Sequence, residues 1–219
     1  MGLIRESGSY STVLKKIDGI IQLMCNELDN DQEIKRLLVY DTYNPLATRS
    51  NTYDNVTIYQ HDINNSLMDK TSIDVSKNQD GSNILKLSQC IFDLGWNSSK
   101  DIELKNAIYV SHIKTYTELV GKSMFIITII VPSDYNKLFM QTNTTRSHAI
   151  AMRVIDLFDN VVTDEKSSKE DGLGDLRFKL TDKINEGKIT KGVDATIIEI
   201  PISVDLINCR ADINGGILR

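Results

Sequence analysis

Chemistry in this chain would have to come from its histidines and from a few clustered acids. The histidines are His61, His112 and His148. His61-Asp62 resembles half of a catalytic pair, since a carboxylate beside an imidazole can orient the ring and stabilise its charged form. The other half would be a nucleophile, and no Ser or Cys stands in a recognisable nucleophile context. His112 falls in an alternating segment and reads as a half-buried strand residue, because a site needs several convergent groups. No two histidines have the spacing of metal ligands.

Two further patterns imitate known sites. Gly121-Lys122-Ser123 resembles the end of a phosphate-binding loop. That loop needs a glycine five residues earlier, where Tyr116 stands, and a helix to follow, where an apolar strand is expected. A hairpin turn is the better reading. Asp29, Asp31 and Glu33 alternate like the opening of a calcium loop. Its turn glycine would be Ile34 and its closing glutamate Tyr40. Helix capping explains these acids better, with Asp31 as the cap. Cys25, Cys90 and Cys209 are odd in number and far apart, so they read as free thiols packed as small hydrophobes. The residues therefore predict no catalytic, cofactor-binding or metal site.

The elements that would position a site read as α+β. Val13, Ile17, Ile20, Ile21, Met24 and Leu28 share one face of a helix over Ser11–Leu28, with Ser11 as its N-cap. Asp31 starts a short second helix carrying Ile34, Leu37 and Leu38, which Asn44-Pro45 ends. From Ala47 to Ser82 the chain is polar and without period, as in an arm, an insertion or a pair of short strands. Ile84, Leu87, Ile91 and Leu94 fit a helix that Gly95 would stop, although the segment is ambiguous. An antiparallel pair follows: a strand through Ile108, Val110 and His112, then the apolar run Met124–Val131. Arg146–Phe158 is the clearest helix, with Ile150, Val154, Ile155 and Phe158 as its stripe. Asp164–Gly174 reads as a solvated loop. Leu176, Phe178 and Leu180 alternate as a strand. Ala195–Leu206 is β-branched, with Pro201 placing it at a sheet edge or a bulge. The expected fold is a mainly antiparallel sheet packed against helices, with an N-terminal helical segment and polar arms. Residues 1–46 form that helical segment, 47–100 the arm or insertion, and 101–219 the core, one domain together with the N-terminal helix.

Bulk properties narrow the partners. The chain has 219 residues, 41% hydrophobic and 25% charged, enough for a real core. Its net charge of −5 disfavours specific DNA or RNA binding, which needs a basic patch. It suits a surface past which DNA slides without sticking. No apolar signal segment opens the chain, and no apolar run reaches the ~20 residues that cross a bilayer, so no membrane partner is expected.

The order of elements from Ile102 to Leu180 resembles a family of tailed-bacteriophage virion proteins at the head–tail connection, the tail terminator and neck proteins. Three stretches carry the resemblance. One is Ile34-Lys-Arg-Leu-Leu-Val-Tyr followed by Asn44-Pro-Leu. The second is the strand pair ending in Phe125-Ile-Ile-Thr-Ile-Ile-Val. The third is Arg146 through Ala149-Ile-Ala and Val154-Ile-Asp-Leu-Phe-Asp-Asn160 into Gly172-Leu-Gly-Asp-Leu-Arg-Phe178. The resemblance implies an α+β subunit of a homo-oligomeric ring, commonly a hexamer, without catalysis or cofactor. The ring would be made in the host bacterial cytoplasm and built into the virion. Its neighbours would be connector and tail-tube proteins, with DNA passing non-specifically.

Function would then lie in contacts, expected in the polar segments Met1–Tyr10, Ala47–Ser82 and Asp164–Gly174. The candidate interface residues are Trp96, either a loop anchor or an interface aromatic, and Asp164, Glu165, Lys166, Lys169, Glu170 and Asp171. Two other classes compete: a cytoplasmic α+β enzyme built on His61, Asp62 and His112, and a small regulatory binding module. Convergence of those three residues in one pocket would favour the enzyme.

Overall fold

The computed structural model describes residues 9–40, 42, 44–46, 51–53, 56–58, 61–69, 75–77, 84–86, 89–97, 105–115, 122–136, 144–163, 176–180 and 184–204. The fold is α+β. Helices α1 (Ser9–Asn30), α2 (Gln32–Val39) and α3 (Arg146–Phe158) accompany a six-stranded, mostly antiparallel sheet. Its strands are β5 (Ile91–Phe92), β6 (Ala107–Thr115), β7 (Lys122–Pro132), β8 (Leu176–Phe178), β9 (Ile184–Thr190) and β10 (Val193–Val204). The order is β5-β6-β7-β10-β8, with β9 also on β10. Two separate antiparallel ribbons, β1 (Asn51–Tyr53) with β2 (Val56–Ile58) and β3 (Val75–Lys77) with β4 (Ile84–Lys86), occupy the polar segment.

β7 is the spine. Its run of β-branched residues suits a pleated surface buried on both faces. Ile127 pairs with Val110 of β6 on one side and with Ile198 of β10 on the other. Phe125, Ile127, Ile129 and Val131 point to the face covered by the helices, where they join Ile20, Met24, Leu28, Ile34, Leu37, Ile150 and Val154 in one core. Ile63, Leu67, Cys90 and Ile91 enter the same core, so all three segments of the chain contribute to it. The opposite face carries a smaller cluster of Ile130, Val193 and Ala195.

The helices end where local chemistry dictates. Asp31 caps α2, accepting from Ile34 N at 2.8 Å. Thr145 caps α3 through His148 N, and Asn160, at φ 56°, ends it in the left-handed conformation that Asn tolerates. Gly192, at φ 86°, makes the turn from β9 to β10.

Several expectations are corrected. α1 begins at Ser9, so Ser11 lies inside the helix rather than capping it. α2 stops at Val39, before Asn44-Pro45, with Tyr40 as its C-cap. The helix read over Ile84–Leu94 is instead β4 and β5. Ile91 is held in a parallel ladder opposite Ile108, and Leu94 is 49% exposed, so the apolar spacing does not mark a single face. β10 is not an edge strand, yet Pro201 sits where an edge opens locally. β9 reaches only Ile198 and β8 begins at Ile202, which leaves Pro201 opposite neither. Its carbonyl accepts from Lys179 N at 3.3 Å, so its missing N–H lies on that same side and costs β7 nothing.

Candidate functional site

The acids around α2 are structural. The Asp31 carboxylate that caps α2 also accepts from Arg153 Nε at 2.9 Å and Nη2 at 2.7 Å, tying α2 to α3. Those bonds raise the pKa of Arg153 above its ordinary value. Asp29 accepts from Ser66 Oγ at 2.7 Å and Leu67 N at 2.8 Å, with Lys35 Nζ at 3.5 Å. Among the described residues no three acids, histidines or cysteines converge as metal ligands. Lys122 and Ser123 lie within β7, so no helix N-terminus follows the glycine-lysine-serine pattern.

His61 and Asp62 are held against the end of α2, whereas His112 belongs to β6. The Tyr40 hydroxyl donates to the His61 carbonyl at 3.0 Å, and Asp62 pairs with Arg36 of α2. His112 sits on β6, edge-on to Phe125 with ring centroids 5.2 Å apart. Its Nε2 lies 3.1 Å from Thr115 Oγ1, which lies 3.1 Å from Ser123 Oγ. Burial lowers the pKa of His112. Thr115 stands between the imidazole and the serine hydroxyl, so this relay orients the ring rather than activating a nucleophile. Among the described residues no hydrogen bond joins His112 to His61 or Asp62.

Trp96 is an anchor. It lies half-buried against Ile130, Val193 and Ala195, beside Tyr109 and Ile189. The other interface candidates, Asp164, Glu165, Lys166, Lys169, Glu170 and Asp171, lie outside the described residues, as does Cys209. Cys25 and Cys90 are free and buried. Burial pushes the Cys25 thiol up to about 12, with Asp93 and Asp29 adding to the shift.

Two features escaped the sequence. Arg146, 1% exposed, donates from Nε to Tyr135 O, from Nη1 to Leu37 O and from Nη2 to Thr42 O. It clamps the end of α2 and the chain beyond it to the start of α3. The only hint of this was a cation at the N-terminal end of a helix, where the helix dipole disfavours it. The second feature is the pair of sheet edges. Among the described residues β5 pairs with β6 only at Ile108 and Tyr109, and β9 pairs on one side only. β9 is exposed from Ile184 to Lys188, and its Glu186 reaches the His148 Nδ1 of α3 at 3.0 Å.

Strand edges, a buried guanidinium clamp and capping networks can hold a subunit rigid and offer backbone to a partner. No helix among the described residues is long and apolar enough to cross a membrane. No protein-family model, no curated protein and no solved structure matches this chain.

Proposed function

We propose that this chain is a structural virion protein of a tailed bacteriophage, forming a ring at the head–tail junction as a tail terminator or neck protein. The observation that carries the reading is the architecture of the main sheet. Among the described residues α1 and α3 lie against the main sheet, α2 packs on both of them, and the two lateral edges of the sheet are left short of partners. Unpaired edges are usually covered or blunted in proteins that work alone. In a ring they are the material of head-to-tail contacts, each subunit using two different patches. The element order shared with head–tail connection proteins supports the same reading. So does the net charge of −5, which suits a channel along which DNA passes without adhering.

In this reading the core does no chemistry. The buried sheet and its helices hold the edges in fixed positions, and the ring joins the connector to the tail tube. The test is the assembly state of the purified protein by light scattering, followed by electron microscopy of the particle. A ring that labels the neck is the expected result. A compact monomer that never enters a virion would sink the proposal.

A further inference from the structure

We infer that β9 of one copy adds to β6 of the next, antiparallel, so that the sheet runs on from subunit to subunit. The inference rests on the ring reading and names the contact that would close the ring.

Hydrogen-bond parity identifies the groups available at each edge. Ile108 N donates to Cys90 O at 2.8 Å, so Ile108 faces away from β7. Strand alternation turns Val110 and His112 the same way. No described element pairs with β6 beyond Tyr109, where β5 ends. At the other side of the sheet, the Pro201 carbonyl faces β8, so Ala195 and Ile197 face β9, bonding to their partners Gly187 and Asn185. Ile184, Glu186 and Lys188 then present their N–H and C=O groups outward. Among the described residues each edge therefore offers an unspent backbone ladder.

The strand directions match. β6, β7, β10 and β9 alternate in direction, so β6 and β9 run oppositely at the two edges. A rotation that continues the sheet brings β9 of one copy antiparallel to β6 of another and keeps the helices on a common side. This contact is heterologous and propagates. Pairing β9 with a second β9 would instead close a two-fold dimer and leave no edge for a third copy.

Exposure and chemistry agree. Ile184 is 40% exposed on β9, and Ile113, at the irregularity in β6, is 49% exposed. Glu186 is drawn toward α3 by His148, away from the outer edge. Lys188 is an edge charge of the kind that discourages indiscriminate pairing, which fits one specific partner.

The test removes one outward N–H. Lys188→Pro deletes a donor that β10 does not use, whereas Lys188→Ala deletes only the charge. Light scattering is expected to show Lys188→Ala assembling as the unaltered protein does and Lys188→Pro remaining a folded monomer. A second measurement covers the case in which the proline variant fails to fold. In a Cys209→Ser background, Ile113→Cys and Lys188→Cys proteins are treated with a bis-maleimide, separately and mixed. Cross-linked product only in the mixture supports the inference. Self-linking of the Lys188→Cys protein alone, or a folded Lys188→Pro protein that still forms rings, overturns it and leaves the ring reading intact. If the unaltered protein is monomeric at every concentration, the ring reading fails and this inference fails with it.

Discussion

β7 and β9 flank the same strand, β10, and their surroundings could hardly differ more. β7 is buried at every position from Ser123 to Pro132 except Ile126, with helices above it and neighbours on both sides. β9 is exposed at its first five residues and, among the described residues, has a neighbour on one side only. Both form antiparallel ladders with β10, so that shared ladder does not distinguish them. Burial does. A buried isoleucine contributes about 1.5–3 kcal/mol relative to an exposed one, whereas a ladder bond exchanged with water contributes about 1 kcal/mol. β7 is therefore the part of the sheet that stabilises the fold, and β9 adds little to it by burial.

Substitutions should break or sharpen that contrast. Ile127→Asp in β7 places an unpaired carboxylate in the core and should cost more than about 4 kcal/mol, leaving no folded protein by circular dichroism. Arg146→Ala strands three carbonyls beneath the helix layer. About 3 kcal/mol should be lost in denaturant unfolding, with the slope unchanged. Asp31→Ala removes the α2 cap and both bonds to a partly exposed Arg153, for roughly 2 kcal/mol, or a fall of about 4–8 °C in melting temperature. His112 should add a shallow pH dependence. Burial depresses its folded pKa, so the unfolded chain takes up the proton first. The stability from its neutral form is present above the ordinary histidine pKa and is lost as pH falls through the folded value. Replacing His112 by Gln should flatten the stability profile on the acid side of the ordinary histidine pKa; an unchanged slope would assign that loss to other groups. Ile184→Asp in β9, the counterpart of the first substitution, should move stability by no more than about 0.5 kcal/mol. A large loss there would show that β9 belongs to the core.

The same contrast governed what could be read from the residues. β7 and α3 were legible because burial writes itself into composition and period: a β-branched run for one, an apolar stripe from Ile150 to Phe158 for the other. Asp31 was legible because capping is local. β9 gave no signal, since an exposed edge strand such as Ile-Asn-Glu-Gly-Lys-Ile-Thr needs no alternation. β5 was misread as part of a helix because its pairing with Ile108 is a tertiary fact. The Arg146 clamp was invisible for a related reason. Its partners are backbone carbonyls, which every residue possesses, so no side-chain pattern marks them. Of the site candidates, Trp96 lies half-buried on the outer face of the sheet, and His61 and Asp62 are held together against the end of α2 while His112 sits on β6.

The Arg146 clamp also sets a schedule. Leu37 and Arg146 are 109 positions apart in the chain. At a synthesis rate of roughly 5–20 residues per second, α1 and α2 leave the ribosome on the order of 5–20 seconds before the residue that fastens them. Through that interval the apolar stripe of Ile20, Met24 and Leu28 has neither β7 nor α3 to cover it. The N-terminal helices thus spend that interval with part of their apolar stripe uncovered, and the clamp cannot close until α3 has begun to emerge.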